Sequence, residues 1–449
     1  MEEYAKPQFT KEDVEKALGV LDEKRSRQLE AYLHACAHCG WCNDACHYYA
    51  ASQNPEQVPT YKADQLRKVW KRKYDWLGKL LPWWVGAKDL DAEQLARMAE
   101  IAFRDCTFCG RCTVNCPFGV DTRLIIRTIR AMITATGKAP EILEQLANAA
   151  IAREENLEFF KEFYLEQIKE LEQELQEKTG DPKASIPVEA ERAEFLYVPL
   201  SGAHTILPAA QIFHEAGQSW TLSMFEASNY GVFLHDIPRA KRIVERVINE
   251  AKRLKVKEVI ITECGHAYTT FRWTAPNWFP EPWPFKVRSL VEVIDEYIRD
   301  ERIAVDPSRN DMAVTYHDSC NLGRNGGVLE EPRRILQACV TDFREMTPNR
   351  RQSYCCGGGG GLVALPEYQE QRLLAGKPKA DQIRATGAEC VVASCDNCRH
   401  QLGELNEHYN LNVKVVGVAE LVANALVPRR QKTVPAERQT KAAAGQPPD

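Results

Sequence analysis

Tyr316-His317-Asp318-Ser319-Cys320, then Tyr354-Cys355-Cys356 running into five glycines (Gly357 to Gly361), then Ser394-Cys395-Asp396-Asn397-Cys398: these three pieces decide how the rest of the chain is read. They carry five cysteines in the pattern C-x34-CC-x38-CxxC. In a chain that otherwise looks cytosolic, thiolates grouped this way point to metal rather than to disulfides. The glycine run points the same way, because residues without a side chain let the backbone turn tightly and come close to a bulky inorganic group. Five thiolates are one more than an ordinary cubane cluster takes from its protein. The site is therefore expected to do chemistry as well as conduct electrons.

The pattern resembles the cysteine-rich CCG domain of heterodisulfide reductases and their relatives. The resemblance rests on the order of the cysteines, on the adjacent Cys355-Cys356 pair followed by Gly357, and on the closing Cys395-Asp396-Asn397-Cys398. The second spacing is slightly longer than the usual pattern, which reads as a loop insertion. The resemblance implies that Cys320, Cys355, Cys356, Cys395 and Cys398 hold a non-cubane 4Fe-4S cluster on which a thiol or disulfide is processed. A zinc site is the competing reading. Zinc, however, takes four ligands and rarely uses adjacent cysteines.

Upstream lie two more cysteine groups. Cys36, Cys39, Cys42 and Cys46 form one C-x2-C-x2-C-x3-C run, and Cys106, Cys109, Cys112 and Cys116 form another. That is the bacterial ferredoxin spacing, in which three close thiolates wrap one cube and the fourth reaches across to the other. Cys36, Cys39, Cys42 and Cys116 are therefore assigned to one 4Fe-4S cubane. Cys106, Cys109, Cys112 and Cys46 are assigned to a second. The first copy has His47 where proline is usual, which weakens the turn after Cys46 but leaves the ligand set intact. Two separate zinc knuckles would be the alternative. The segment between the copies has helical periodicity over Lys62 to Tyr74 and Asp91 to Phe103, and Leu124 to Ile133 continues it. The module resembles the α-helical ferredoxin type of the heterodisulfide reductase and succinate dehydrogenase families. Inside it, Trp70 to Trp76 and Leu80 to Val85 mix tryptophan with basic residues. That composition suits docking on a membrane-embedded partner, or equally a packed aromatic corner with a solvated basic face.

The 449 residues suffice for two or three domains with cores of their own. A net charge of −5 carries no nucleic-acid footprint. Thirteen of the sixteen cysteines fall into the three groups, leaving Cys264, Cys339 and Cys390. Cys339 and Cys390 read as core. Met1 to Asp13 is acidic and polar and reads as no signal peptide, and no apolar run approaches the roughly 20 residues that span a bilayer.

Glu141 to Lys178 is acidic, with Phe159, Phe163, Ile168, Leu171 and Leu175 on one stripe, as in an amphipathic helix or helical hairpin. From Ala193 short β runs alternate with helices, and they do so twice. Aligning the two halves sets Gly202 over Cys320, Asn229-Tyr230-Gly231 over Cys355-Cys356-Gly357, and Cys264-Gly265-His266-Ala267 over Cys395 to Cys398. The first half thus keeps one of five cysteines and is expected to hold no cluster. In the fold that the resemblance implies, the halves face each other, which would bring Cys264, His266, Glu226 and Tyr230 near the cluster of the second half. Cys264 and His266 are the candidate catalytic pair, a thiol beside an acid–base group. A buried relic cysteine is the other reading. His317 and Asp318 would either hydrogen-bond near the cluster or cap the end of their strand.

The expected fold is an α+β multidomain chain. Its parts are a polar segment (1–29), an α-helical ferredoxin with two cubanes (30–139), an acidic helical connector (140–192), a degenerate first CCG half (193–305), a cysteine-complete CCG half (306–427) and a disordered tail (428–449). Among heterodisulfide reductase relatives, the degenerate half resembles the K-type subunits of sulfite-reduction-associated membrane complexes. That resemblance implies cytoplasmic thiol/disulfide redox chemistry, peripheral to the inner face of the membrane through a cytochrome b-like partner. The thiol/disulfide carrier would be a small protein or a small molecule. The same layout also occurs in electron-transfer subunits that serve a flavoprotein dehydrogenase of the glycolate, lactate or glycerol-phosphate type.

Overall fold

The computed structural model describes residues 7–200 and 202–428. The tail expected to be disordered lies almost wholly outside the described residues. The first part is helical: α1 (Lys11–Glu23), α2 (Arg27–Ala35), α3 (His47–Ser52), α4 (Pro59–Tyr74), the short α5 (Trp76–Leu80) and α6 (Pro82–Val85), α7 (Ala92–Phe103), α8 (Arg111–Val114) and α9 (Thr122–Ala135). Local signals start these helices. Thr10 and Asp13 form a capping box on α1, Asp91 accepts from Gln94 N at the head of α7, and Pro59 occupies the first turn of α4. Leu66, Val69, Leu95, Met98, Ile101, Ile125, Ile129 and Met132 make the core of this part.

The acidic connector is a helical pair, α10 (Glu141–Glu155) and α11 (Leu157–Thr179), broken at Asn156. Ile168 and Leu175 are buried, but Phe159 and Phe163 are 81% and 63% exposed. The stripe seen in the sequence therefore seals only along its C-terminal part, where α11 lies on the next helix, α12 (Ala203–Ala216).

Two parallel sheets follow. The first contains β1 (Phe195–Val198), β2 (Trp220–Leu222), β3 (Glu258–Ile261) and β4 (Lys286–Ser289) in the order β2-β1-β3-β4. Its other helices are α13 (Tyr230–Leu234), α14 (Ile237–Leu254), α15 (Gly265–Thr269) and α16 (Leu290–Arg299). The second contains β5 (Ala313–His317), β6 (Asp342–Arg344), β7 (Cys390–Ala393) and β8 (Lys414–Val416) in the order β6-β5-β7-β8, with α17 (Glu331–Cys339), α18 (Gln369–Thr386), α19 (Asp396–Tyr409) and α20 (Val418–Ala425). The central strands are buried on both faces, as parallel sheets require. The order is the same in both halves, and Cys264 precedes α15 just as Cys395 precedes α19.

The halves share one core that runs from Leu196 and Ile260 to Val314 and Val392. Their strand ends also meet directly. Asp396 N donates to Glu263 O at 2.8 Å, and the Glu263 carboxylate, 3% exposed, accepts from Val418 N at 2.8 Å and lies 3.8 Å from Arg399. Cys339 and Cys390 are fully buried in that core.

Candidate metal centre

In an open parallel sheet the reactive groups collect beyond the carboxyl ends of the strands. Cys320 follows β5, Cys395 and Cys398 follow β7, and Cys355-Cys356 lie on the loop between β6 and α18. All five side chains are at most 6% exposed. The Sγ atoms of Cys356 and Cys398 are 3.4 Å apart. Cys355 is held well below the ordinary thiol range by hydrogen bonds from Cys109, Cys320 and Cys356. Cys398 is pushed well above that range by its contacts with Cys356 and Cys395.

His317 closes one side of the group, with a ring nitrogen within 4.8 Å of the Cys356 and Cys398 sulfurs. Both of its ring nitrogens are buried without a partner, as is the hydroxyl of Ser319. Crowded thiols beside unpartnered buried polar atoms suit an inserted cluster, whereas a four-ligand zinc ion would leave one sulfur over. Asp318 instead turns away to a structural task. Its carboxylate is gripped by Arg333 at 2.8 and 2.9 Å and accepts from Arg350 N at 2.6 Å.

The helical part gathers the other eight cysteines into two neighbouring sets. Burial pushes the Cys42 thiol up to about 11, with Cys36, Cys116 and Cys39 adding to it. Burial likewise pushes Cys112 up to about 12, with Cys46 and Cys106 adding to it. Cys42 thus neighbours Cys116, and Cys112 neighbours Cys46, across the two runs. The first set is open to solvent: Cys39 is exposed, and Trp41 and Phe118 are 69% and 55% exposed. The second is less open, with Cys109 buried and the other three half-buried, and carries a counter-charge that sequence reasoning missed. Lys62 is 3% exposed, and its Nζ lies 3.8 Å from Cys46 Sγ, 2.5 Å from Asp105 O and 4.6 Å from the Tyr48 ring centre. Burial alone would raise the Cys46 thiol, but Lys62 and His47 hold it below its usual range.

His47 proves more than a missing proline. It starts α3, is 2% exposed, and uses both ring nitrogens, one with Ala375 O on α18 at 2.9 Å and one with Thr107 Oγ1 at 3.1 Å. It lies within 4.8 Å of both Cys109 and Cys355. The glycine run also has a task other than the one expected. A Cβ on Gly359 would stand 2.8 Å from Thr107 O, and Gly360 and Gly361, at φ +68° and +88°, would meet Arg130, Thr107, Leu143 and Phe233. These glycines give room to the helical part at least as much as to any inorganic group. Arg130, fully buried, completes the seam by donating to Phe233 O and Gly360 O at 2.6 Å each and to Ala102 O at 2.9 Å. Arg324 donates to Cys109 O at 2.8 Å.

From the first half, His266 reaches a narrow cavity that Cys320, Cys356, Cys395 and Cys398 also line. Cys264 sits behind it, 2% exposed, with Sγ 3.3 Å from His266 Nδ1. Burial pushes that thiol well above its ordinary range and drops the imidazole to about 4. Glu226 does not join them, because it pairs with Arg153 at 3.0 Å. Tyr230 packs its ring on Phe233 at 5.6 Å. A cleft of about 210 Å³ adjoins the cavity and shares Phe233, His266, Asn321 and Gly360 with it.

Comparison with known families and proteins agrees with this layout. The 4Fe-4S dicluster domain family matches residues 32–120, and the cysteine-rich CCG domain family matches residues 314–403. The chain is similar to the Hdr-like menaquinol oxidoreductase iron-sulfur subunit 2 of Archaeoglobus fulgidus, at 26% identity over 93% of this chain and 83% of that protein. It is similar to the D subunit of the dihydromethanophenazine:CoB–CoM heterodisulfide reductase of Methanosarcina mazei, at 25% identity over 88% of this chain and 94% of that protein. The B subunit of the fumarate reductase (CoM/CoB) of Methanothermobacter marburgensis is 33% identical over 40% of this chain and 35% of that protein. The chain thus carries a 4Fe-4S dicluster domain and a CCG cysteine-rich domain, and over most of its length it is similar to iron–sulfur subunits of Hdr-like menaquinol oxidoreductase and heterodisulfide reductase.

Proposed function

We propose that this chain is the iron–sulfur subunit of a membrane-associated respiratory complex that reduces a disulfide, or oxidises a thiol pair, at the five-cysteine site. The observation that carries the reading is the meeting of Cys320, Cys355, Cys356, Cys395 and Cys398 in one buried group that touches Cys109 and lies at the foot of a solvent cleft. Cys36, Cys39, Cys42 and Cys116 would hold one 4Fe-4S cubane, Cys46, Cys106, Cys109 and Cys112 the second, and the five cysteines a non-cubane 4Fe-4S cluster. When bound, these groups supply the one-electron transfers into which a two-electron disulfide reduction divides.

The chain's own residues handle the protons. Reduction of RS–SR′ consumes two electrons and two protons and yields RSH and R′SH. The Cys264 thiol, kept protonated by burial, donates to Nδ1 of His266. That tautomer leaves a hydrogen on Nε2, which can hydrogen-bond to a departing thiolate and hold it while the two protons consumed enter from solvent through the cleft that His266 lines. Phe233, packed on the imidazole at 4.5 Å, keeps the ring in place.

No helix among the described residues is long and apolar enough to cross a membrane. In this reading the membrane link runs through a partner, a cytochrome b-like protein, with the chain on the cytoplasmic side. The thiol/disulfide carrier would meet the cleft. Anaerobic purification tests the reading, with about twelve iron expected per chain, four for each of three clusters. Cys356→Ala should lose the iron of the five-cysteine site, keep the cubane spectra and abolish disulfide turnover. Unchanged iron in that variant would reject the proposal. Co-purification with a flavoprotein instead of a b-type cytochrome would favour the electron-transfer reading over the thiol one.

A further inference from the structure

Strand β5, helix α18 and the loop leading to Cys355 bring a second set of buried polar side chains to the five cysteines. Lys379, on α18, is fully buried, and its Nζ donates to Ser353 Oγ at 3.0 Å and lies 3.4 Å from Met346 Sδ. Arg324, also buried, donates to backbone carbonyls, those of Arg351 at 2.7 Å and Cys109 at 2.8 Å. Both cations thus have neutral hydrogen-bond partners. Asp318 acts on Lys379 from beyond ion-pair distance, but its carboxylate is already matched by Arg333 at 2.8 Å and accepts from Arg350 N. The other negative groups that draw on the Lys379 charge are Cys356 and Cys355. Cations held out of water in this way call for an anion beside them, and thiolates around iron supply one.

His317 adds a donor to this charge. It is the last residue of β5, fully buried, and pairing with Ala393 on β7 fixes its place. Burial, with Lys379 and Arg324 adding to it, holds the imidazole well below its ordinary range, so the ring is neutral. A neutral imidazole has one N–H to give. Neither ring nitrogen has a partner in the protein, and one of them lies within 4.8 Å of the Cys356 and Cys398 sulfurs. A polar ring is costly at such a position unless something there accepts its hydrogen.

We propose that His317 and Lys379 set the redox potential of the five-cysteine site, His317 by donating a hydrogen bond to sulfur there and Lys379 by supplying a fixed positive charge. The inference rests on the cluster proposed above for that site. Each electron that enters adds a negative charge to a buried group. A nearby donor and cation favour the reduced state over the oxidised one, which raises the potential. Electrons that cross from Cys109 to Cys355 then run downhill.

The test is an anaerobic redox titration of the cluster-loaded protein followed by electron paramagnetic resonance, with the two cubane signals as internal references. His317→Leu removes the donor and Lys379→Met removes the charge, each at nearly constant volume. Both variants should keep about twelve iron per chain. Each should lower the midpoint potential of the five-cysteine site by about 59 mV or more, which is a tenfold change in a one-electron equilibrium. The cubane midpoints should move much less. His317→Gln, which keeps an N–H, should recover part of the shift. A midpoint that neither His317→Leu nor Lys379→Met moves overturns the inference while leaving the cluster in place. A wild-type protein with about eight iron and no third signal rejects the cluster itself, and the inference with it. If either variant sheds iron, wild-type protein carrying isotope-labelled histidine decides. A histidine nitrogen coupling on the five-cysteine signal sustains the donor, and its absence removes it.

Discussion

The sulfur atoms of Cys109 and Cys355 lie within 4.8 Å of one another, with a ring nitrogen of His47 inside the same limit. One sulfur belongs to the dicluster part and the other to the CCG part, so the two candidate redox sites share a wall rather than facing each other across a gap. Cys109→Ala is therefore expected to lose about four iron per chain. It should also slow electron delivery to the five-cysteine site more than any loss at the solvent-open Cys39 does. Rapid-mixing reduction followed by spectroscopy measures this, and equal rates in the two variants would disprove the order of the relay.

His47→Phe keeps the ring volume but removes both ring hydrogen bonds, leaving Ala375 O and Thr107 Oγ1 buried and without the histidine. The expected loss is about 1–3 kcal/mol of stability. Denaturant unfolding under anaerobic conditions gives the number. Hydrogen exchange should show α3 and α18 opening together.

Gly359→Ala puts a methyl group 2.8 Å from the carbonyl of Thr107, a backbone atom that cannot swing aside. Overpacking of this kind costs about 1–3 kcal/mol. Because the strain falls on the seam, iron should leave the five-cysteine site before the solvent-open set. Gly403→Ala, on α19 with nothing within 4 Å, is the control.

Glu250 gives a pH dependence remote from any cysteine. Burial raises its carboxyl from 4.5 to about 7, although Met224 N at 2.8 Å and Ser223 both donate to it. Between those two values the folded chain holds a proton that the unfolded chain has released, so stability falls as pH rises through that window. The contribution is up to about 3 kcal/mol. Thermal unfolding between about pH 5 and 7.5 should show the decline in the wild type and a flatter profile in Glu250→Gln.

Trp76, Trp83 and Trp84 are 74%, 76% and 69% exposed, with Leu80 at 66% between them. That spacing groups the four on α5 and α6, and Lys71, Arg72, Lys73 and Lys79 lie close by in the chain. The packed-corner reading of this stretch therefore fails for these side chains. Trp83→Ala with Trp84→Ala should lower recovery in the membrane fraction severalfold while iron per chain stays constant. Unchanged recovery would assign the patch another role.

Much of the site is legible in the chain alone, because cysteine spacing is a local record of ligand geometry. The same holds for the β–α alternation and for the repetition of strand order, which the Cys264 and Cys395 segments already display. What escapes is whatever depends on contacts between distant residues. His47 meets a carbonyl 328 positions away, and nothing near it in sequence marks it as more than an absent proline. Lys62 reads like any helical lysine. Gly359 and Gly360 read as space for a cluster, and the neighbour they accommodate is Thr107. The three-residue β2 and β6 carry no alternation and exist through their parallel pairing with β1 and β5.

Arg130 has a consequence for anyone who recombines relatives of this chain. One guanidinium, rooted in the dicluster domain, grips carbonyls of the first half and of the glycine loop at once. A chimera spliced near residue 190 would inherit the cation from one parent and its acceptors from the other. Grafts should therefore hold together only when Arg130, Phe233 and Gly360 come from parents in which this three-way clasp already fits.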